Sequence, residues 1–244
     1  MICKVKVIST GSKGNAVLLN DEILIDCGVP FRDLEPYCKG LKLVLLTHIH
    51  GDHFNPETIK RLHFLRPALR WCVPPWLMEP MGRIGVDRRV TDEAMQRHDL
   101  FYLLSESTSA YVWYDPIPHD VPNCAWHIQF ADGEKSNGFD NIFYATDCAS
   151  LNGVSALAYD LYLIEANYGE EEIQERMKRK LEAGEFSYES RAMESHLSRE
   201  QTHAWLTQNA AIGKSHVLYL HQHQDEEAAH DTLGTSLQQP ATAP

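Results

Sequence analysis

The stretch THIHGDH at 47–53 places three histidines and an aspartate within seven positions. Imidazole nitrogens and carboxylate oxygens without a thiolate suit zinc, and also manganese or iron. His48 and His50 sit two residues apart just beyond an apolar run, LKLVLLT, so if that run is a buried strand they can point to one side. Asp52 and His53 are adjacent and, in a turn that opens a helix, can face elsewhere. One tight loop can thus serve two neighbouring metal ions. Chance would give roughly 0.002 matches to H-x-H-x-D-H in a chain of this composition, which sets aside a merely solvated polar loop.

Two ions need more ligands, ideally at other strand ends. His119 follows an apolar run in WYDPIPHD, Asp147 follows the apolar IFYA in IFYATD, and His221 closes VLYLH. His223 is the rival to His221, and His221 is preferred because it is nearer the strand end.

These residues need a scaffold. Short apolar runs bounded by Gly, Asn and Asp predict strands at 2–8, 16–19, 23–26, 43–47, 111–114, 142–146, 160–165 and 216–220. The turn NDE at 20–22 predicts an early antiparallel hairpin. Pro56 opens a helix over 56–66, and GEEEIQERMKRKLEAG forms another over 169–183. A third is expected from Ser198, as N-cap with Gln201 as its capping-box partner, to a stop at Gly213. Strands both in hairpins and alternating with helices predict an α/β fold with mixed sheets covered by helices. A single domain over 1–233 is expected, with the small polar stretch 234–244 as a disordered tail.

Composition narrows the function. Hydrophobic residues make up 43% of the 244 and charged ones 23%, ordinary for a globular protein, and no apolar stretch nears the roughly 20 residues of a membrane span. The N-terminus lacks a signal-peptide core, and six cysteines are scattered without a C-x-x-C pair, so a reduced, cytoplasmic protein is expected. A net charge of −12 opposes extensive polyanion binding unless bound cations change the local potential.

The series THIHGDH, PIPHD, ATD and LYLH resembles the dinuclear metallo-β-lactamase-fold hydrolases over about residues 2–225. The resemblance implies an αββα sandwich of two mixed sheets with helices on the outer faces and metals at one edge. It makes His48, His50 and His119 ligands of one ion, Asp52, His53 and His221 ligands of the second, and Asp147 the bridge. Between such ions a hydroxide can be held as nucleophile. Histidine at 50, where a glutamate would suggest a di-iron oxidoreductase, points to hydrolysis. Asp147 stands where a β-lactamase would carry cysteine, and Cys148 reads as a small buried residue.

STGSKGNAVLL, LIEANY and ESHLSREQ are similar to the ribonuclease Z-like group, especially its small YycJ/WalJ-type exonucleases. That resemblance implies that His196 contacts the scissile phosphate and protonates the leaving oxygen, with Asp52 as proton partner. GSKGN lacks the Walker spacing: it is either a tight turn made by Gly11 and Gly14 or places Ser12, Lys13 or Asn15 on the phosphate side, and Ser198 is grouped with these substrate contacts. The basic stretch Arg176–Lys180 either guides a polyanion or is a solvated helix face. The interval from Asp147 to His196 is too short for the extra domain of the β-CASP nucleases. The expected function is a two-metal phosphodiesterase acting on a nucleic-acid end, with no membrane partner and with a homodimer allowed. Its rivals are a cyclic-nucleotide phosphodiesterase of the anti-defence type, a thioester or lactam hydrolase, and a non-catalytic binding module.

Overall fold

Asn20 and Asp21 both adopt left-handed backbone (φ 52° and 59°), a conformation that short polar side chains tolerate and that tight hairpin turns require. The strands they join open the first of two sheets. The computed structural model describes residues 4–106, 108–132, 141–186 and 189–222. His223 and the expected tail at 234–244 lie outside them.

The first half of the chain runs β1 (Val5–Ser9), β2 (Ala16–Leu19), β3 (Ile23–Ile25), α1 (Phe31–Leu34), β4 (Leu43–Leu45), α2 (Pro56–Leu65), β5 (Arg70–Val73), α3 (Pro75–Arg83) and β6 (Thr91–Glu93). The second half runs β7 (Leu100–Leu103), β8 (Thr108–Ile117), β9 (Asn123–Asp132), β10 (Asn141–Ala145), β11 (Leu161–Glu165), α4 (Glu170–Ala183), α5 (Glu189–Ser195), α6 (Arg199–Asn209) and β12 (His216–Leu220). Among the described residues the sheets have orders β1-β2-β3-β4-β5-β6 and β12-β11-β10-β9-β8-β7. Both are mixed: β3 to β6 and β10 to β12 are parallel, and the other pairs antiparallel.

The period-2 alternation of each strand sorts its side chains into three cores. Val17, Ile25 and Leu45 of the first sheet meet Val112, Trp126 and Tyr144 of the second between the sheets. Leu18, Val44 and Trp71 face the other way, against Ile59 and Leu62 of α2 and Leu77 of α3. Phe143, Tyr162 and Ile164 pack outward against Leu206 and Trp205 of α6. Helix, sheet, sheet, helix is therefore the layer order. No helix among the described residues is long and apolar enough to cross a membrane.

Several elements depart from the sequence expectation. β5 buries Trp71, Cys72 and Val73 beside β4, and at its open side it pairs with a polar edge strand, Thr-Asp-Glu, which has no apolar pattern to announce it and is tied across the pair by Arg70 Nε to Asp92 Oδ2 (3.2 Å). β9 sends Cys124, Trp126, Ile128 and Phe130 to the core between the sheets, while Ala125 and His127 are buried on its other face and Gln129 is exposed, so burial on both faces hides the strand's alternation. Helix α6 ends at Asn209 rather than running to Gly213. The Asn209 carbonyl accepts from Ala158 N (2.7 Å) and Tyr162 Oη (3.0 Å), and its side chain accepts from Ala156 N, so packing against the 156–162 loop ends the helix early. The expected capping box is present: Ser198 Oγ accepts from Gln201 N, and Gln201 returns the bond to Ser198 N.

Candidate metal centre

The chemistry-bearing residues collect at the carboxyl ends of the parallel strands. Asp26 follows β3, the 47–53 loop follows β4, Asp147 follows β10, Glu165 closes β11 and His221 follows β12. Asp26, Asp147 and His221 adopt left-handed backbone (φ 60°, 54° and 48°), which costs an L-residue about 1–2 kcal/mol and is tolerated best by Asp, Asn and His. Such strain concentrates where a side chain must be aimed away from the path of its strand.

Asp26 organises the 47–53 loop from beneath. Its fully buried carboxylate accepts from Thr47 N (2.9 Å), Thr47 Oγ1 (3.0 Å) and Tyr144 Oη (3.1 Å), and lies 2.7 Å from His53 Nδ1. Asn15, also buried, holds the loop from the side: its N–H donates to Asp52 O (2.6 Å), and its Nδ2 lies 2.7 Å from His53 Nε2. Gly28 lets these segments close. A β-carbon there would lie 1.7 Å from Asp52 O and 2.7 Å from His53 N. Gly28→Ala is therefore expected to destabilise the protein by about 3 kcal/mol, which lowers the melting temperature by roughly 6–12 °C for a chain of this size. Calorimetry that found it within about 2 °C of the native protein would show that the loop yields freely.

The first group is His48, His50 and His119, each able to offer one nitrogen within 4.8 Å of the others. For each ring the second nitrogen is occupied. His48 Nδ1 meets Thr47 Oγ1 (2.9 Å), His50 Nε2 faces Asp120 Oδ1 (3.3 Å) and His119 Nδ1 faces the Ser195 carbonyl (3.2 Å). Such partners fix tautomer and ring orientation, and turn His48 Nε2, His50 Nδ1 and His119 Nε2 toward one another as candidate donors, although His119 Nε2 also lies 3.1 Å from Asp120 Oδ1. The last two are 3.3 Å apart. Burial, reinforced by the neighbouring charge of His53, lowers His48 to a pKa of about 2, and burial also lowers His119, so both are neutral and ready to ligate.

The second group is centred on Asp147, which is 2% exposed. Its Oδ2 is 2.5 Å from His53 Nε2 and 3.6 Å from His48 Nε2, while its Oδ1 touches His221 Nδ1 and lies 3.4 Å from His196 Nδ1. Burial opposes ionisation of Asp147, yet the charge of His53 and bonds from the surrounding histidines hold it well below the usual carboxylate range. Burial likewise opposes charge on His53 and His196, but Asp26 and Asp147 raise the first, and Asp147 with Glu165 raise the second to about 10. Protons here balance buried carboxylates, a role that a divalent cation takes over while releasing them.

The residues fit such ions. His48 Nε2 is buried without a hydrogen-bond partner, and Asp147 Oδ1 and His221 Nδ1 meet only each other and His196 there; a buried polar atom left this way in a convergent cluster is the signature of a ligand site. Asp52, a quarter exposed, lies 3.9 Å from His53 Nε2 through its Oδ2. A cleft of about 230 Å³ exposes His50, Asp52, His119, Asp147, His196 and His221 to solvent together.

Some expectations are corrected. Ser198 makes no substrate contact: it is fully buried, and its hydroxyl is committed to the α6 cap and to Glu170 Oε1 (2.9 Å). Asn15 is an internal tie instead of a cleft residue, and Lys13 is exposed outside the cleft lining. Ser12 does line the cleft, and the segment is a tight turn closed by Gly14 N to Gly11 O (2.9 Å). Among the described residues nothing pairs Asp52 with His196. The partner is Glu165, whose Oε2 is 3.0 Å from His196 Nδ1, because β11 ends directly behind that ring. Within the basic stretch of α4, Lys180 pairs with Glu189 of α5 (2.6 Å).

Four polar residues escaped the sequence reading: Asp26, Glu165, Asp120 and Arg191. The first two had a signal, since each is a carboxylate closing an otherwise apolar run, ILID and LYLIE. Glu165 is fully buried and accepts from Cys148 N (2.7 Å) and Leu197 N (3.1 Å). Around it, the LIEANY and ESHLSREQ segments pair through Asn167 N to Leu197 O and Arg199 N to Tyr168 O, which sets His196 in the cleft.

No family model and no curated protein sequence matches the chain. Similarity to solved structures is extensive. YhfI from Bacillus subtilis, a metallo-β-lactamase-fold protein, aligns with a TM-score of 0.63 and 18% identity over 93% of this chain and 88% of that one. Human tRNase Z, short form, gives 0.61 and 15% over 90% and 92%, and a diphosphatase of the PhnP family gives 0.61 and 13% over 93% and 90%. Two facing mixed sheets between outer helices, matched to these neighbours along nearly the whole chain, make this the metallo-β-lactamase fold.

Proposed function

We propose that the protein is a metal-dependent phosphodiesterase that hydrolyses a phosphodiester at a nucleic-acid end. The observation that carries this reading is the convergence of His50, Asp52, His119, Asp147 and His221 with His196 in one solvent-reached cleft, with His48 and His53 buried behind it. His48, His50 and His119 would hold one divalent ion, Asp52, His53 and His221 a second, and Asp147 lies between the two groups. Zinc suits this nitrogen and carboxylate set, with manganese or iron as alternatives. Bound there, such ions supply positive charge that favours ionised water and neutralises the phosphate under attack.

The chain's own residues do the rest. Glu165 and Asp147 hold His196 through Nδ1, which leaves Nε2 for the cleft and for the departing oxygen. A histidine so placed can give the leaving alcohol its proton. Cys148 is buried and its thiol is pushed up by burial and by Glu165, so it offers neither a thiolate ligand nor a nucleophile. The neighbours named as a tRNase and a diphosphatase support phosphate chemistry over thioester or lactam hydrolysis. So does the similarity of three sequence segments to YycJ/WalJ-type exonucleases.

A cyclic nucleotide is the second reading, favoured by the small cleft, which has one arginine and no lysine among its described lining residues. The deciding experiment is elemental analysis of purified protein followed by a panel of single-stranded DNA, duplex DNA, RNA, cyclic nucleotides and a chromogenic phosphodiester. Shortening of a polynucleotide from one end is expected. Hydrolysis of the cyclic compounds alone would move the assignment to the second reading, and inertness toward every phosphodiester with zinc, manganese and iron would sink both.

A further inference from the structure

Arg191 is the only arginine or lysine among the described residues that line the cleft, where Asp52, Asp120 and Asp147 supply negative charge. It sits on the short helix α5, which also delivers His196: Ser195 Oγ donates to Arg191 O (2.7 Å), and His196 N donates to Ala192 O (2.9 Å). Both Arg191 and His196 line the cleft. The guanidinium is held at the rim by one bond, Nη2 to Asp120 Oδ2 (2.8 Å), and the side chain is three-quarters exposed. Asp120 is itself fixed, because its other oxygen faces His50 Nε2 (3.3 Å).

An exposed ion pair of this kind contributes little to stability. Its consequence is positional: a planar fork with five N–H donors, only one of them used here, stands at the mouth of the cleft in a geometry matched to phosphate oxygens. We infer that Arg191 anchors a second phosphate, so that the preferred substrate is a short phosphodiester bearing another phosphate beside the scissile one. This rests on the phosphodiesterase reading and deepens it. With no other arginine or lysine among the described residues that line the cleft, fixed positive charge ends at that one neighbour, which suits a phosphorylated end and not the interior of a long polyanion.

The test is equilibrium binding by fluorescence anisotropy to the zinc-loaded protein. The probes are a labelled dinucleotide with a non-cleavable methylene phosphonate linkage, with and without a 5′-phosphate. The native protein is expected to bind the phosphorylated probe roughly tenfold more tightly, as a charge-assisted bond implies. That preference should fall below about twofold in Arg191→Ala and be partly kept in Arg191→Lys. No preference in the native protein, or the same preference in Arg191→Ala, would overturn the inference. Because neither probe can be cut, the comparison of native protein with Arg191→Ala isolates the contact with the added phosphate from turnover, while failure to cleave the ordinary dinucleotide would count against the phosphodiesterase reading.

Discussion

Asp147→Asn is expected to remove bound divalent metal and to lower phosphodiester hydrolysis by on the order of 10³-fold or more. Asparagine keeps the size of the side chain and tolerates the left-handed backbone found at 147, so the fold should survive. What disappears is the charge that faces His53, His196 and His221 at once. An amide presents one neutral carbonyl oxygen where two anionic oxygens had faced both ligand groups, and it cannot balance two neighbouring cations. Mass spectrometry of the metal content, read beside the melting temperature, separates this from misfolding. A folded Asp147→Asn protein that still held two equivalents of metal and cleaved at the native rate would refute the shared centre.

His196→Ala should slow cleavage by about 10²–10⁴-fold while metal content stays at the native level. The two measurements divide two roles for this ring, because His196 also lies within ligand distance of Asp147, Glu165 and His221. Loss of metal would make it a ligand; loss of rate alone makes it the proton donor. A substrate whose leaving group departs as a stable anion needs no proton, so the defect should be much smaller with nitrophenyl esters than with alkyl ones. Glu165→Gln should reproduce the leaving-group dependence in milder form, since it keeps the size of the side chain behind His196 but removes the charge that raises the imidazole and leaves one oxygen where two had accepted from His196 Nδ1 and from Cys148 N and Leu197 N. If His196→Ala were equally slow on both ester types, a proton-donating role would be untenable.

Residue types able to hold a metal were legible in the sequence because they obey local rules. Seven residues in one loop, and single polar residues just past apolar strands, follow from the strand period and from the rule that chemistry collects where strands end. The hairpin at 20–22 and the cap at Ser198 were legible for the same reason, being set by residues within four positions of each other. Ser198, once capped, was also spent: the bond that starts α6 buries the hydroxyl and denies it to a substrate. Elements held by distant partners left no such trace, as with the polar strand β6, which depends on Arg70, and the end of α6, which depends on the 156–162 loop.

By itself, then, the sequence determined which atoms could bind cations and that they would follow strands, since spacing along a chain dictates which side chains share a face. Only the tertiary structure decided what stands behind each one: Asp26 under His53, Glu165 behind His196, and Asp120 between His50 and Arg191. Those pairs join residues 27, 31, 70 and 71 positions apart. A buried charge or tautomer is fixed by whatever the fold brings within hydrogen-bond reach, and separation along the chain does not encode that distance.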